Sequence, residues 1–437
     1  MDRVTVIVPN WQRDPTLTLT GLSLQRFRPF ETVLVSDTPP PARFATQVRW
    51  IEIGEANLSA ARNAGVQAAG GDLLAFIDDD AVPEPDWLGA LVSGIGQAAL
   101  AGGPVIGPTG VRLQWDRHAF NRFGEDVPET ASDAVATKVN GTNMILRRAA
   151  LAQIGGFDER FAYFLEETDV AMRLHKAGHS IGWVPGALVH HGFAKSGHRT
   201  ARRVPEDLRV KGRSIACFLF SHAPEAEWPS ASIRYQEREL RRLMRFHRLG
   251  LIDGGRIGHL MDGLRAGLSA AILAPMIPRI APAPAPQNAQ ADTPPPSDLR
   301  VVIVPTLLTR RRAWDDARHL RSLGAEVTLM EYRYSPRPLR VTLTDDGIWR
   351  HLGGTLNLGG EGGLPPLRLR HAASRDMRRV AASRQFTHVL GYDLAKNRHI
   401  WRFPRNEARL ERVFDMTSVV WDGRTWPAAH GPIEQDQ

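Results

Sequence analysis

At 437 residues the chain has the length of about three ordinary domains, which excludes a single small module. Hydrophobic residues make up 43% and charged residues 23%, globular values, so most of the chain should fold around real cores. A net charge of +8 invites nucleic acid, an anionic membrane surface or a phosphorylated substrate, and the sign alone does not choose among them. The single cysteine, Cys217, excludes an intrachain disulfide framework and a Cys-rich zinc module, and a reducing cytosol fits best.

Val4 to Val8 is too short for the apolar core of a signal peptide and is followed at once by Pro9 and Asn10, so it is predicted as a first core strand. Further strands are predicted at Thr32–Val35, Arg49–Ile53 and Leu73–Ile77. Leu58–Ala69 has Leu58, Ala61, Gly65, Val66 and Ala69 on one helical face and a Gly70-Gly71 stop, which makes one βαβ crossover. A helix is expected around 85–92, another over 170–177 and a strand at 181–184. Beyond Gly192 the pattern turns helical and basic, over 199–213 and 234–248. These runs are read either as solvated faces or as a polyanion or membrane-leaflet contact. The stretch 266–278 carries two prolines and is too short to span a bilayer. Alternating Pro and Ala over 281–298 cannot bury a core and reads as an extended spacer. The chain thus divides into an α/β domain (1–198), a basic helical extension (199–280), the spacer (281–298) and a small Rossmann-like α/β domain (299–437). In the last, strands are predicted at 299–304, 326–330, 388–391 and 412–415, with helices at 314–323 and 372–383. The glycine-rich 359–363 is read as a surface loop, and docking, oligomerisation or acceptor presentation are the roles open to this domain.

Three segments carry chemistry. The predicted strand Leu73–Ile77 ends in Asp78-Asp79-Asp80, at the edge of a parallel sheet where ligands bind, and clustered carboxylates there are costly unless a hard divalent cation neutralises them. The alternative is that Asp80 caps the next helix while the others stay solvated. Glu166, Glu167 and Asp169 fall in the first turn of a predicted helix, where they either satisfy its dipole or supply a base for a hydroxyl nucleophile. His190 and His191 lie on an extended segment, so at most one easily reaches a metal.

In their order and spacing these segments resemble the family 2 glycosyltransferases of GT-A fold, over about residues 2–220. The matching features are Val6-Ile7-Val8-Pro9, Asp37 after the second strand, Asn57-Leu58-Ser59-Ala60-Ala61-Arg62-Asn63-Ala64-Gly65, Phe76-Ile77-Asp78-Asp79-Asp80, Gly141-Thr142-Asn143-Met144 with Arg147-Arg148, and Gly155-Gly156-Phe157-Asp158-Glu159. The resemblance implies a nucleotide-sugar-binding Rossmann-like domain and an inverting transfer from a nucleotide-diphosphate sugar to a hydroxyl acceptor, in bacterial polysaccharide or glycan assembly. It assigns Pro9, Asp37, Arg62, Asp78, Asp79 and Asn143 to the nucleotide and donor. Asp80, with Asp78 and His191 or His190, would hold a divalent metal, Mn2+ or Mg2+. Glu167 falls where the family more often has Asp, which leaves Glu167, Glu166 and Asp169 as candidate bases. Implied partners are the donor and a glycan or lipid-linked acceptor, with no nucleic acid, and the implied location is cytoplasmic, with peripheral contact at the inner membrane face left open. A sugar-phosphate nucleotidyltransferase is the rival enzyme, although Pro9 to Arg13 lacks the glycines that its phosphate loop expects. A non-catalytic scaffold of the same fold is the other alternative.

Overall fold

The computed structural model describes residues 2–192, 199–200, 202–270, 276–277, 297–333, 339–354, 369–393, 395–404 and 419–421. The chain forms two compact units, Met1–Pro108 with Arg112–Pro294, and Thr109–Val111 with Pro295–Gln437.

The first unit opens with β1 (Val4–Pro9), α1 (Thr16–Ser23), β2 (Glu31–Ser36), β3 (Arg49–Glu52), α2 (Leu58–Ala68) and β4 (Leu73–Phe76). There follow β5 (Ala81–Pro83), α3 (Trp87–Gly94), β6 (Leu100–Gly102), β7 (Val105–Ile106), β8 (Leu113–Trp115), β9 (Ala119–Asn121), β10 (Asp126–Val127), β11 (Ala134–Thr137) and β12 (Met144–Arg147). The unit continues with α4 (Arg148–Gln153), α5 (Glu166–Lys176), β13 (Ile181–Trp183), β14 (Val189–His191), α6 (Arg209–His222), α7 (Trp228–Arg248) and α8 (Gly254–Ser269). The principal sheet runs β13-β6-β12-β4-β1-β2-β3. Strands β1 to β4 are parallel, with β1, β2 and β4 buried throughout, and β12 enters antiparallel beside β4. Because the chain builds outward from β1 to β2 and β3 and then returns to place β4 on the other side, the switch point lies between the carboxyl ends of β1 and β4. A ligand crevice forms there in open α/β sheets.

Residues of the family-like motif make this packing. Asn57 caps α2, its side chain accepting the Ala60 N–H at 3.1 Å. A Cβ at Gly65 would stand 2.4 Å from Ile7 Cγ2, so only glycine lets α2 lie this close to β1. Asn63 exchanges bonds with the backbone of Phe157, and the buried Arg148 donates to the carbonyls of Val66, Ala69 and Gly71, closing the carboxyl end of α2.

Helix α6 starts at Arg209 rather than near 199. Pro205 disfavours helical geometry at Val204, and Arg199 pairs with Pro205 in an isolated antiparallel bridge instead. Helices α6 to α8 share one core with the sheet: Ile215, Phe218, Leu243 and Leu264 belong to the apolar cluster that contains Ile7, Leu74 and Phe157. Helix α8 falls within the expected helical extension, which gave it no bounds, and its cap, Asp253 accepting from Arg256 N–H at 2.7 Å, is legible as a helix start.

The second unit contains β15 (Arg300–Val304), α9 (Arg310–Ser322), β16 (Glu326–Arg333), β17 (Arg340–Leu343), β18 (Ile348–Gly354), α10 (Leu369–Arg384), β19 (His388–Tyr392), β20 (Arg398–Arg402) and β21 (Val419–Trp421). Its sheet order, β17-β18-β16-β15-β19-β20-β21 with β18, β16, β15 and β19 parallel, is Rossmann-like. The expected strand at 412–415, the glycine-rich loop at 359–363 and most of the 281–298 spacer lie outside the described residues.

Candidate active site

The carboxyl ends of β1 and β4 open into a cavity of about 800 Å³ in the first unit. Pro9 to Arg13 form one wall and Asp78 and Asp80 another, with Gly141 and Thr142, the turn 162–167, His191 and Arg199 completing it. Asp78 is held by the backbone: its N–H donates to the Thr142 hydroxyl at 3.1 Å. Behind Asp80, β5 pairs with β14 so that His191 stands opposite Ala81, which brings its Nε2 to 3.0 Å from Asp80 Oδ1. One donor atom from each of Asp78, Asp80 and His191 can lie within 4.8 Å of the others. Two carboxylate oxygens and an imidazole nitrogen converging on a cavity wall are a donor set that suits Mn2+ or Mg2+ better than a soft ion, so these residues fit the divalent metal the sequence implies.

Asp80 is ringed by cations. Arg13 Nη1 lies 3.1 Å and Arg199 Nη2 3.3 Å from its Oδ2. Burial opposes ionisation, but the His191 contact and the charges of Arg13 and Arg199 outweigh it and hold Asp80 well below the usual carboxylate range.

Across the cavity, Phe164 and Leu165 both adopt left-handed backbone, with φ of 79° and 69°. Two successive non-glycine residues in that region are strained, and they turn the chain so that α5 begins at Glu166 with its first two side chains on the cavity. Glu166 Oε1 accepts from Arg62 Nη1 at 2.9 Å. Arg62, 1% exposed, also donates to Gly141 O at 3.1 Å, lies 3.5 Å from Asp78 Oδ1 and covers the Phe157 ring at 5.5 Å. Gly141 is required for this: a Cβ there would sit 2.5 Å from Arg62 Nη2. Burial and the neighbouring Glu166 charge push the Glu167 carboxyl up to about 8. Glu167 therefore holds its proton to higher pH than an ordinary carboxyl group.

Of the residues expected in the site, Pro9, Arg62, Asp78, Asp80, His191, Glu166 and Glu167 meet in this cavity. Asp169 does not. It points into the core, 2.5 Å from Arg173 and 2.8 Å from His222, and the Arg173 charge together with the hydrogen bond to His222 outweighs burial and brings it to about 2. His190 faces the other side of β14 and meets Glu84 at 2.7 Å. Asn143 is fully buried, accepting from Trp87 Nε1 and donating to the carbonyls of Pro104 and Ala187. Asp79 is buried against Arg13 at 2.5 Å. Asp37 is not a lining residue either: it accepts the N–H of Gln12 at 3.0 Å and so supports the wall rather than forming it. The sequence reading missed Arg13, Arg199, Thr142, Gln114 and Glu55 as lining residues. Arg13 could have been found from its place just past β1 at the sheet edge, whereas Arg199 was absorbed in a basic run.

Among the described residues no helix is long and apolar enough to cross a membrane. Residues 5–155 match the family Glycosyl transferase family 2. The chain is 28% identical over 240 residues to the O-antigen biosynthesis protein RfbC of Myxococcus xanthus, a match that covers 47% of this chain and 18% of that one. It is 31% identical over 134 residues to the N-acetylglucosaminyl-diphospho-decaprenol L-rhamnosyltransferase of Mycobacterium tuberculosis, over 31% of this chain and 40% of that protein. It is 34% identical over 173 residues to the succinoglycan biosynthesis protein ExoM of Rhizobium meliloti, over 37% of this chain and 52% of that protein. The chain thus spans at most about half the length of these relatives.

Proposed function

We propose that the cavity, in a chain whose residues 5–155 match Glycosyl transferase family 2, transfers a sugar from a nucleotide-diphosphate donor to a hydroxyl of a glycan or lipid-linked acceptor, with inversion at the anomeric carbon. The observation that carries this reading is the meeting of Glu167 with Asp78, Asp80 and His191 in one cavity at the switch point of the sheet. The relatives' names place them in assembly of O-antigen, succinoglycan and a decaprenol-linked glycan, which favours a bacterial surface glycan as the product.

In this reaction the acceptor oxygen forms a bond to the anomeric carbon as the bond from that carbon to the diphosphate oxygen breaks. The electron pair of the broken bond leaves with the diphosphate, and the acceptor's proton passes to a carboxylate oxygen of Glu167. Such a base contributes about 10² to 10⁴ in rate. Arg62, locked between Glu166, Gly141 and Asp78, and the guanidiniums of Arg13 and Arg199 meet the negative charge that develops on the leaving group. A divalent cation on Asp78, Asp80 and His191 would supply Lewis-acid stabilisation of the same charge. Glu166 positions Arg62, whose guanidinium donates to its Oε1.

The test is a panel of nucleotide sugars incubated with the full chain and Mn2+ or Mg2+, reading nucleotide release and the anomeric configuration of the product. Release of nucleotide and an inverted linkage are expected from one donor. Pyrophosphate exchange instead would favour the nucleotidyltransferase, and no turnover of any donor the protein binds would favour a scaffold. Asp80→Ala and Glu167→Gln should each abolish transfer while circular dichroism stays that of the parent.

A further inference from the structure

Helix α7 exposes more apolar surface than a solvated helix needs. It buries Ala231, Tyr235, Glu239 and Leu243 on one stripe. On the neighbouring stripe Ile233, Leu240 and Met244 are 55, 41 and 41% exposed, and Leu249 just past the helix is 63% exposed. Single exposed apolar residues are ordinary, but an aligned row of them marks an interaction surface. Arg241, Arg245 and Arg248 extend this stripe along one side and are exposed. The helix holds six arginines against two glutamates, and the inner arginines are already engaged: Arg234 and Arg238 with Glu125 at 3.1 and 2.6 Å, Arg242 with Glu239 at 2.8 Å. The outer Arg241 has Glu237 at 3.7 Å with both side chains more than half exposed, a pair of little energetic weight.

The same helix is tied to the candidate active site. Buried Glu239 pairs with Lys211, and the Lys211 ammonium sits 4.7 Å above the ring of Phe164, a residue of the cavity wall.

We propose that the outer face of α7 docks on an anionic phospholipid bilayer, with Ile233, Leu240, Met244 and Leu249 entering the headgroup boundary and Arg241, Arg245 and Arg248 meeting lipid phosphates. Charge complementarity selects this occupant: a second copy laid face to face would bring two arginine clusters together with only Glu237 to offset them. The docking stands on the helix alone. Its purpose, holding the cavity beside a lipid-linked acceptor, rests on the transferase reading.

Flotation of the full chain with vesicles of phosphatidylcholine, with and without phosphatidylglycerol, tests this. Binding only to the anionic vesicles, weakening as salt rises, is expected. Replacing Arg241, Arg245 and Arg248 together by Gln should weaken it about 100-fold, and Ile233→Ser, Leu240→Ser and Met244→Ser together by about tenfold or more. Both variants should keep the parent's melting temperature and its rate of nucleotide release without vesicles. Failure of the parent to bind anionic vesicles, or equal binding by both variants, overturns the proposal. So does a concentration-dependent dimer in light scattering that the serine variant abolishes while vesicles are ignored, since a second copy would then cover the face. Vesicle binding by a protein that turns over no donor would sustain the docking and sink the transferase reading instead.

Discussion

Lowering the pH should silence transfer well above the ordinary carboxylate range. Burial and the charge of Glu166 push Glu167 up to about 8, so at pH 7 about one molecule in ten has the base ionised and at pH 6 about one in a hundred. Only the ionised form accepts the acceptor's proton, so kcat/KM should climb about tenfold per pH unit below pH 7 and level off above about pH 9. Glu166→Gln keeps an oxygen for Arg62 and removes the like charge, which should move the rise to lower pH by about one unit or more, the size of coupling expected between adjoining carboxylates. The same shift has a cost in stability. Because the folded state holds this proton more tightly than the unfolded chain, the Glu167 contribution is intact below pH 4.5 and is lost as pH rises toward 8. Glu167→Gln should therefore melt higher than the parent in alkaline buffer, with the two converging in acid. Initial rates of nucleotide release in overlapping buffers, together with thermal melts of the same samples, measure both effects. A rise in kcat/KM centred near pH 4.5, or one that Glu166→Gln leaves in place, would refute the assignment of Glu167 as a raised, charge-coupled base.

Other substitutions separate the residues by their surroundings. His191→Gln should weaken Mn2+ binding by about tenfold or more in calorimetry, whereas His190→Gln, on the opposite face of β14, should leave it unchanged; equal losses would contradict the ligand set. Asp169→Asn should cost about 3–5 kcal/mol in denaturant unfolding of the first unit, because Arg173 loses its buried counter-charge and His222 its carboxylate partner. Since Asp169 is held near about 2, that difference should persist above its ordinary range near 3.8 and fade as pH falls toward 2; a loss under about 1 kcal/mol at neutral pH would refute the reading. Gly141→Ala should displace the Arg62 guanidinium by steric contact and abolish binding of a nucleoside diphosphate with little change in circular dichroism; unaltered affinity would show that Arg62 is not a donor contact.

What the sequence made legible was the backbone frame and the chemical inventory, because both are local. The apolar runs of β1, β2 and β4 and the amphipathic face of α2 announce parallel strands and a crossover, and their carboxyl ends locate the crevice. The partition of charges is not local. Glu166, Glu167 and Asp169 share one helical turn, yet Asp169 is drawn inward by His222 from α6, 53 residues on, while Phe164 and Leu165 turn the other two outward through backbone that no propensity predicts. Asp78, Asp79 and Asp80 divide in the same way, the middle one turned away against Arg13. Strand alternation would have separated His190 from His191, but not said which faced Asp80; the β5 and β14 register settles that. The short strands between 100 and 147 escaped because most are only two to four residues long, below the length at which alternation is readable.

The charge balance of the cavity ties these placements to its chemistry. Five carboxylates line it, Glu55, Asp78, Asp80, Glu166 and Glu167, against the guanidiniums of Arg13, Arg62 and Arg199. With Glu167 ionised the balance is two negative charges, so an entering diphosphate would meet net repulsion in a partly desolvated space where Coulomb energies are large. A doubly charged cation held by Asp78, Asp80 and His191 would bring the cavity to neutrality and would leave the arginines that crowd Asp80 available to the diphosphate oxygens. Protonating Glu167 removes one negative charge as well, which eases donor entry but disables the base. Donor affinity and turnover should for this reason depend on pH in opposite senses, with affinity falling and kcat rising between pH 7 and about 9. Calorimetric titration of a nucleoside diphosphate with Mn2+ across that range measures the first and single-turnover rates the second; affinity and rate rising together would mean that the carboxylate facing the reacting carbon is not the one whose charge the donor feels.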